Sequence, residues 1–146
     1  MITIERLIFE DLQGLKHLYE DAFENSKTDY DNMISSFNQI KDNPNYLILC
    51  AKSDGLIVGS VLGVICNELF GQCKPFMVLE DIAVLKTHRR LGIAKQLLHK
   101  IEDCAKSAEC SMIVFVSSEH RTGAHKLYES VGYGLDKVNG YRKRLS

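Results

Sequence analysis

The chain has 146 residues, of which 45% are hydrophobic and 25% charged, and its 18 basic and 19 acidic side chains leave a formal net charge of −1. That length fits one domain with a substantial buried core, and the even charge balance argues against nucleic acid as a general partner. No apolar run approaches the ~20 residues that span a bilayer, and the acidic first dozen, MITIERLIFEDL, lacks a leader-peptide layout, so a cytoplasmic protein with no membrane partner is expected.

Met1 to Ile8 alternates and is β-branched enough for a first strand. From Glu10 to Phe23, Leu12, Leu15, Leu18, Tyr19, Ala22 and Phe23 follow helical spacing. A second helix is expected over Asp29 to Asp42, with Thr28 as N-cap and Tyr30, Met33, Ile34, Phe37 and Ile40 as its buried stripe. Asn43-Pro44 ends it, because proline disfavours helical geometry in the residue before it.

Two long apolar strands, Tyr46 to Lys52 and Leu56 to Cys66, flank the turn Ser53-Asp54-Gly55. A polar connection over Asn67 to Lys74 leads to a further strand, Pro75 to Leu85. After Leu91, the residues Ala94, Leu97, Leu98, Ile101, Cys104, Ala105 and Ala108 form one apolar helix face. Met112 to Val116 is a continuous apolar run, as expected of a central strand covered on both faces. A last helix over Gly123 to Val131 should stop at Gly132, and Tyr133 to Leu145 can form two short strands around Asn139-Gly140. The order β-α-α-β-β-β-α-β-α-β-β predicts an α/β domain over residues 1–146, with a mixed sheet flanked by helices. The five cysteines, Cys50, Cys66, Cys73, Cys104 and Cys110, are odd in number and show no CxxC spacing, which favours buried reduced thiols and no metal.

Chemistry concentrates in Val78 to Lys95, VLEDIAVLKTHRRLGIAK. An apolar strand carries Glu80 and Asp81 and runs into a basic, glycine-containing turn that opens a helix. A helix N-terminus offers unpaired N–H groups and a positive dipole end, Gly92 admits a phosphate close to the backbone, and the arginines add charge-assisted donors. Alone, the turn is equally a basic surface turn: it lacks GxxxxGK[ST] and holds one glycine of a GxGxxG pattern. Strand alternation places Glu80 and Asp81 on opposite faces unless a bulge intervenes, so Asp81 is expected to cap a neighbour or pair with an arginine.

Arg89-x-x-Gly92-x-Ala94 after Leu79-Glu80-Asp81-Ile82-Ala83-Val84 resembles the acetyl-CoA motif, (Q/R)xxGx(G/A), of the GNAT superfamily of N-acetyltransferases. Downstream, Ala124-His125-Lys126-Leu127-Tyr128-Glu129-Ser130-Val131-Gly132-Tyr133 is similar to the family's AxxLYexxGF segment. The two matches stand in the family's order with a strand between them. The resemblance implies a GNAT-type fold, a mostly antiparallel mixed sheet whose splayed central strands hold acetyl-CoA.

It also implies roles. The pantetheine arm would pair with the backbone of Ile82, Ala83 and Val84, one of whose N–H groups would hold the developing oxyanion. The pyrophosphate would lie beside Arg89 on the amides of Arg90, Leu91, Gly92, Ile93, Ala94 and Lys95. Tyr128 matches the family's tyrosine, which returns a proton to the CoA thiolate; packing on Ala124, Leu127 and Val131 is its ordinary alternative. Glu80 is the candidate base, and the LED triplet at Leu79 to Asp81 resembles the polyamine acetyltransferase branch. Arg121 stands where the family often has asparagine and could serve the CoA phosphates. His120 is an alternative base, and His125 reads as an ordinary exposed histidine.

The expected activity is therefore direct transfer of acetyl from acetyl-CoA to a primary amine in a ternary complex, without metal. The acceptor would be a small-molecule or peptide amine, drawn by Glu24, Asp29, Asp31 and Glu68, and a homodimer is compatible with the chain. A non-catalytic CoA-binding regulatory module on the same fold is the rival. Nucleic-acid binding through Arg142-Lys143-Arg144 is disfavoured by the net charge.

Overall fold

In the computed structural model, which describes residues 1–119 and 121–146, the first strand is β1 (Ile2–Arg6). A single 3-10 turn, Phe9–Asp11, leads into α1 (Leu12–Ala22), and α2 spans Tyr30–Ile40. The long apolar runs become β2 (Tyr46–Ser53), β3 (Leu56–Cys66) and β4 (Phe76–Val84). Then come α3 (Ile93–Ser107), β5 (Ile113–Val114) and α4 (Thr122–Ser130). Two compact units make up the chain, Met1–Val114 and Phe115–Ser146.

The sheet order is β1-β2-β3-β4-β5, antiparallel through β4 and parallel between β4 and β5. Asp54 (φ +50°) and Gly55 (φ +79°) both take the left-handed conformation that a two-residue hairpin turn requires, which sets Ser53 opposite Leu56. Asp11 fixes the start of α1. One carboxylate oxygen accepts from Ile8 N–H at 3.0 Å, and the other lies 2.8 Å from Lys52 Nζ on β2.

Glycines on β3 let α3 settle onto the sheet. A Cβ at Gly59 would stand 3.0 Å from Ile93 Cγ2 and 3.1 Å from Leu97 Cδ1, and one at Gly63 would stand 3.0 Å from Ile101 Cδ1. The neighbouring Ser60 instead meets Tyr19 of α1. Successive strand residues face opposite sides, so α1 and α3 cover opposite faces of the sheet. The core runs between them through Leu15, Leu18, Val58, Val61, Leu79, Leu97 and Ile101, all buried.

Several elements differ from expectation. The N-cap of α2 is Asp29, whose Oδ1 accepts from Asn32 N–H at 2.9 Å, while Thr28 donates its own N–H to Glu20. Of the α2 stripe only Phe37 is fully buried, because the helix rests on the edge of the core. β5 is a two-residue edge strand with half-buried side chains and not a central strand. Residues 133–146 form no strand: neither Asn139 nor Gly140 takes the positive φ of a two-residue turn, and Leu135, Tyr141 and Leu145 are exposed. Gly132, at φ +100°, does follow α4 as a left-handed stop. Among the described residues, no helix is long and apolar enough to cross a membrane.

Gly59→Ala places its new methyl against Ile93, Leu97 and the Ala83 carbonyl oxygen at 3.2 Å. Overpacking of this kind costs about 1–3 kcal/mol, and urea unfolding should show a midpoint lowered accordingly with an unchanged slope.

Candidate active site

The register between β3 and β4 slips where the carboxylates stand. Leu62 pairs with Glu80 and Ser60 with Ala83, so Val61 alone faces two residues, Asp81 and Ile82. This is a β-bulge, and Asp81 adopts φ +55°, a conformation aspartate tolerates better than most residues. The bulge cancels the alternation that would have separated the two acids. The Asp81 charge disfavours ionisation both of Glu80 and of the Tyr19 phenol. The bulge thus removes the strand alternation that was the reason for placing Asp81 on the face opposite Glu80. Both are pushed above the ordinary carboxylate range, Glu80 by loss of water and then by the Asp81 charge, Asp81 by loss of water.

Among the described residues, no strand pairs with the outer edge of β4 over the same stretch. β5 pairs with Met77 and Val78 only, so its register ends two residues before Glu80. Leu85 N–H is directed to Val58 O on β3 at 2.9 Å. Backbone direction alternates along a regular strand, so Ala83 also points to β3, while Val84, beyond the bulge, directs its N–H away from β3. Of the three backbone positions expected to hold the pantetheine arm, Val84 directs its N–H away from β3 and Ala83 toward it.

Beyond β4, Lys86–His88 forms one 3-10 turn, whose Lys86 N–H is held by Asp21 Oδ2 of α1 at 2.8 Å. Arg90 (φ +65°) and Gly92 (φ +79°) turn the chain into α3, and no side chain caps that helix. The first helical bond runs from Gln96 N–H to Gly92 O, which leaves the amides of Ile93, Ala94 and Lys95 outside the helical ladder. Nothing lies within 4 Å of a Cβ built at Gly92, and Arg89, Arg90, Leu91 and Lys95 are exposed. An uncapped helix start, open above its glycine and flanked in sequence by exposed Arg89, Arg90 and Lys95, has the donors and charge to hold an anion.

The second unit carries Tyr128 and Arg121. Tyr128 is 7% exposed and meets the ring of Phe115 edge-on at 4.7 Å, with Phe115 also edge-on to Tyr133 at 4.9 Å. Burial raises the phenol pKa, and the Arg121 guanidinium opposes that rise. The His125 ring is 2.9 Å from Ser118 O, bound to its own loop. His120 lies outside the described residues.

Glu80, the Ile82–Val84 edge and the Arg89–Lys95 turn are thus gathered in the first unit, and Tyr128 with Arg121 in the second. Of the acids expected to draw an amine, Asp29 is engaged as a helix cap and Glu68 accepts from the backbone of Leu69 and Phe70. Tyr19 and Ser60 were not singled out from the sequence: both sit in apolar patterns that signal only core. All five thiols are free, but Cys73 is exposed, contrary to the expectation of burial; buried Cys50 is pushed up to about 12. Among the described residues, no three His, Cys, Asp or Glu side chains come together as a metal ion would need.

A family model described as "Acetyltransferase (GNAT) family" matches residues 12–133. Aminoglycoside N(6')-acetyltransferase type 1 of Salmonella typhimurium is 29% identical over 97 residues, which cover 64% of this chain and 67% of that protein. Solved structures share the fold. A transcriptional regulator from Bacillus halodurans superposes with a TM-score of 0.88 at 22% identity, covering 99% of each chain. Glucosamine-6-phosphate N-acetyltransferase from Arabidopsis thaliana gives 0.87 at 18% identity, covering 100% of this chain and 99% of that one. The aminoglycoside N-acetyltransferase AAC(6')-Iy in complex with CoA gives 0.81 at 22% identity, covering 99% and 95%.

Arg121→Gln removes the cation that favours the Tyr128 phenolate, so the Tyr128 titration should move to still higher pH. NMR titration of ring-labelled tyrosine, assigned through Tyr128→Phe, measures the displacement; an unmoved titration would contradict the coupling.

Proposed function

Because the chain belongs to the acetyltransferase (GNAT) family, we propose that it transfers the acetyl group of acetyl-CoA directly to a primary amine of a small cationic molecule. Aminoglycoside-type amino sugars are the first class to test, as the Salmonella relative's name suggests. The reading is supported above all by β4, which carries the candidate base Glu80 beside a bulge, has β5 paired only with Met77 and Val78, and leads into a helix whose start no side chain caps. The family match crosses from the first unit into the second, which supports reading residues 1–146 as one acetyltransferase domain. Free cysteines throughout agree with a cytoplasmic setting.

Acetyl-CoA, when bound, supplies an activated thioester. The amides of Arg90 to Lys95, with the Arg89 and Arg90 guanidinia, hold its diphosphate. Ile82 and Val84 N–H groups orient the acetyl oxygen and carry the charge that develops there. An amine is protonated at neutral pH, so Glu80 takes its proton before attack. Tyr128 Oη donates to the departing sulfur, and Arg121 serves the CoA phosphates. Peptide N-termini belong in the same acceptor screen, and sedimentation with and without acetyl-CoA tests the homodimer.

A base acts when ionised and an acid when protonated. With both groups raised, kcat/KM should climb with pH through a limb above the usual carboxylate range and fall only above the ordinary tyrosine value. Glu80→Gln should abolish the acidic limb. Tyr128→Phe should abolish the alkaline limb and lower kcat by about 10²–10⁴-fold, the usual contribution of a general acid. Unchanged kcat and limbs in stopped-time CoA-release assays would overturn both assignments.

The rival reading is a CoA-binding regulatory module without turnover. It predicts calorimetric acetyl-CoA binding with no CoA release on any amine.

A further inference from the structure

The sheet face that carries Glu80 is covered by helix over only part of its length. α3 takes the other face, where Leu47, Gly63, Met77 and Leu79 are buried; a Cβ built at Gly63 would stand 3.0 Å from both Ile101 Cδ1 and Met77 Sδ. α1 lies on the Glu80 side but toward the far end of the strands. A Cβ at its Gly14 would meet Ile57 Cδ1 at 3.2 Å, and its Asp21 holds Lys86 N–H at 2.8 Å. α2 packs chiefly on α1.

Strand register defines the remainder of that face. Glu80 stands opposite Leu62, and Leu62 opposite Ile48, so the three form one row across β4, β3 and β2. Val78, Val64 and Tyr46 form the next row on the same side, two residues along each strand. All five neighbours of Glu80 in these rows are half-buried, whereas the residues between them that face α3 are buried. At the β2 end, Tyr46 and Ile48 line a cavity of about 200 Å³ together with Phe37 and Ile40 of α2, and exposed Arg6 and Lys41 stand in its wall. Over two interstrand spacings, about 10 Å, the face passes from a carboxylate through apolar side chains to a pair of cations.

We infer, resting on the amine-acceptor reading above and narrowing it, that the acceptor is a monoamine with an apolar alkyl or aryl body, its ammonium at Glu80 and its body laid across Leu62 toward the cavity at Ile48. Charge selects for a single ammonium. A second one carried along this path would lose water over Leu62 and then meet Arg6 and Lys41, so a polyamine or amino sugar is disfavoured twice. An apolar body has no such cost and gains the transfer free energy of each methylene it buries.

CoA-release assays with acetyl-CoA and matched amines test this. From ethylamine through butylamine and hexylamine to octylamine, kcat/KM should rise about two- to fourfold per methylene, the range between half and full burial of a CH₂. Octylamine should exceed 1,8-diaminooctane, its match in length, by about tenfold or more. Ile48→Ala should lower the octylamine-to-ethylamine ratio about threefold or more, because the short amine ends before Ile48. Arg6→Glu combined with Lys41→Glu changes only exposed side chains, and so reports even where Ile48→Ala fails to fold. It should lower the octylamine-to-diaminooctane ratio about fivefold or more. A flat chain-length series, a preference for diaminooctane or neamine over octylamine, or ratios that neither variant moves would overturn the inference while leaving amine acetylation standing. If no amine releases CoA, the acetyl-transfer reading fails, and methyl NMR of the protein decides the apolar path by itself. Octylamine should then shift the Ile40, Ile48 and Leu62 methyl signals and saturate them at lower concentration than ethylamine; unmoved methyl signals would overturn the inference.

Discussion

One extra residue in β4 shapes the stretch of strand that carries Glu80 and Asp81. At the bulge, two residues of β4 oppose Val61, and the insertion has several consequences in one place. It breaks the alternation that would send Glu80 and Asp81 to opposite faces, and it lies in a strand whose far edge β5 has already left. Without it, Asp81 would face away from Glu80. The left-handed backbone at Asp81 is the local cost, of the order of 1–2 kcal/mol for a residue with a Cβ. The surrounding register, from Cys66↔Phe76 to Gly59↔Val84, holds the strand on both sides of it.

Packing then connects the two ends of the site. The glycines at 59 and 63 let α3 lie close to the sheet, which brings the start of that helix beside the end of β4. On the other face, α1 reaches over with Asp21 and grips Lys86 at the beginning of the anion turn. The turn is consequently held from both layers, by apolar contact through Ile93 and by a carboxylate–amide bond from α1. A cradle for a charged group requires such fixing, because amides that had to reorganise on binding would lose most of their electrostatic advantage.

Much of this was legible in the residues. β3 was read at its observed bounds because an apolar run between Gly55 and a polar loop has few alternatives, and α3 was visible in its 3.6-residue stripe. The turn into α3 was marked by Gly92 between arginines and a helix. The bulge left no trace, since Glu-Asp-Ile in a strand reads the same in and out of register, and so the partnership of Glu80 with Asp81 could be raised only as a condition. The C-terminal hairpin failed for the opposite reason: Asn139-Gly140 is a strong local signal, but the backbone does not take the turn conformation there.

Pairing of Ile2 with Ser53 closes a long loop that contains both α1 and α2. The ends of that loop are pinned by strand register, so its length can change while the sheet stays as it is. Closing a flexible loop twice as long costs only about 0.6 kcal/mol more. The helices proposed to face the acceptor are therefore carried on the part of the molecule most open to insertion and deletion, whereas the groups proposed to bind the acetyl donor lie on β4 and α3, where a single added residue would shift the register. An ancestral sequence could exchange one amine for another through the first of these regions while leaving the second untouched.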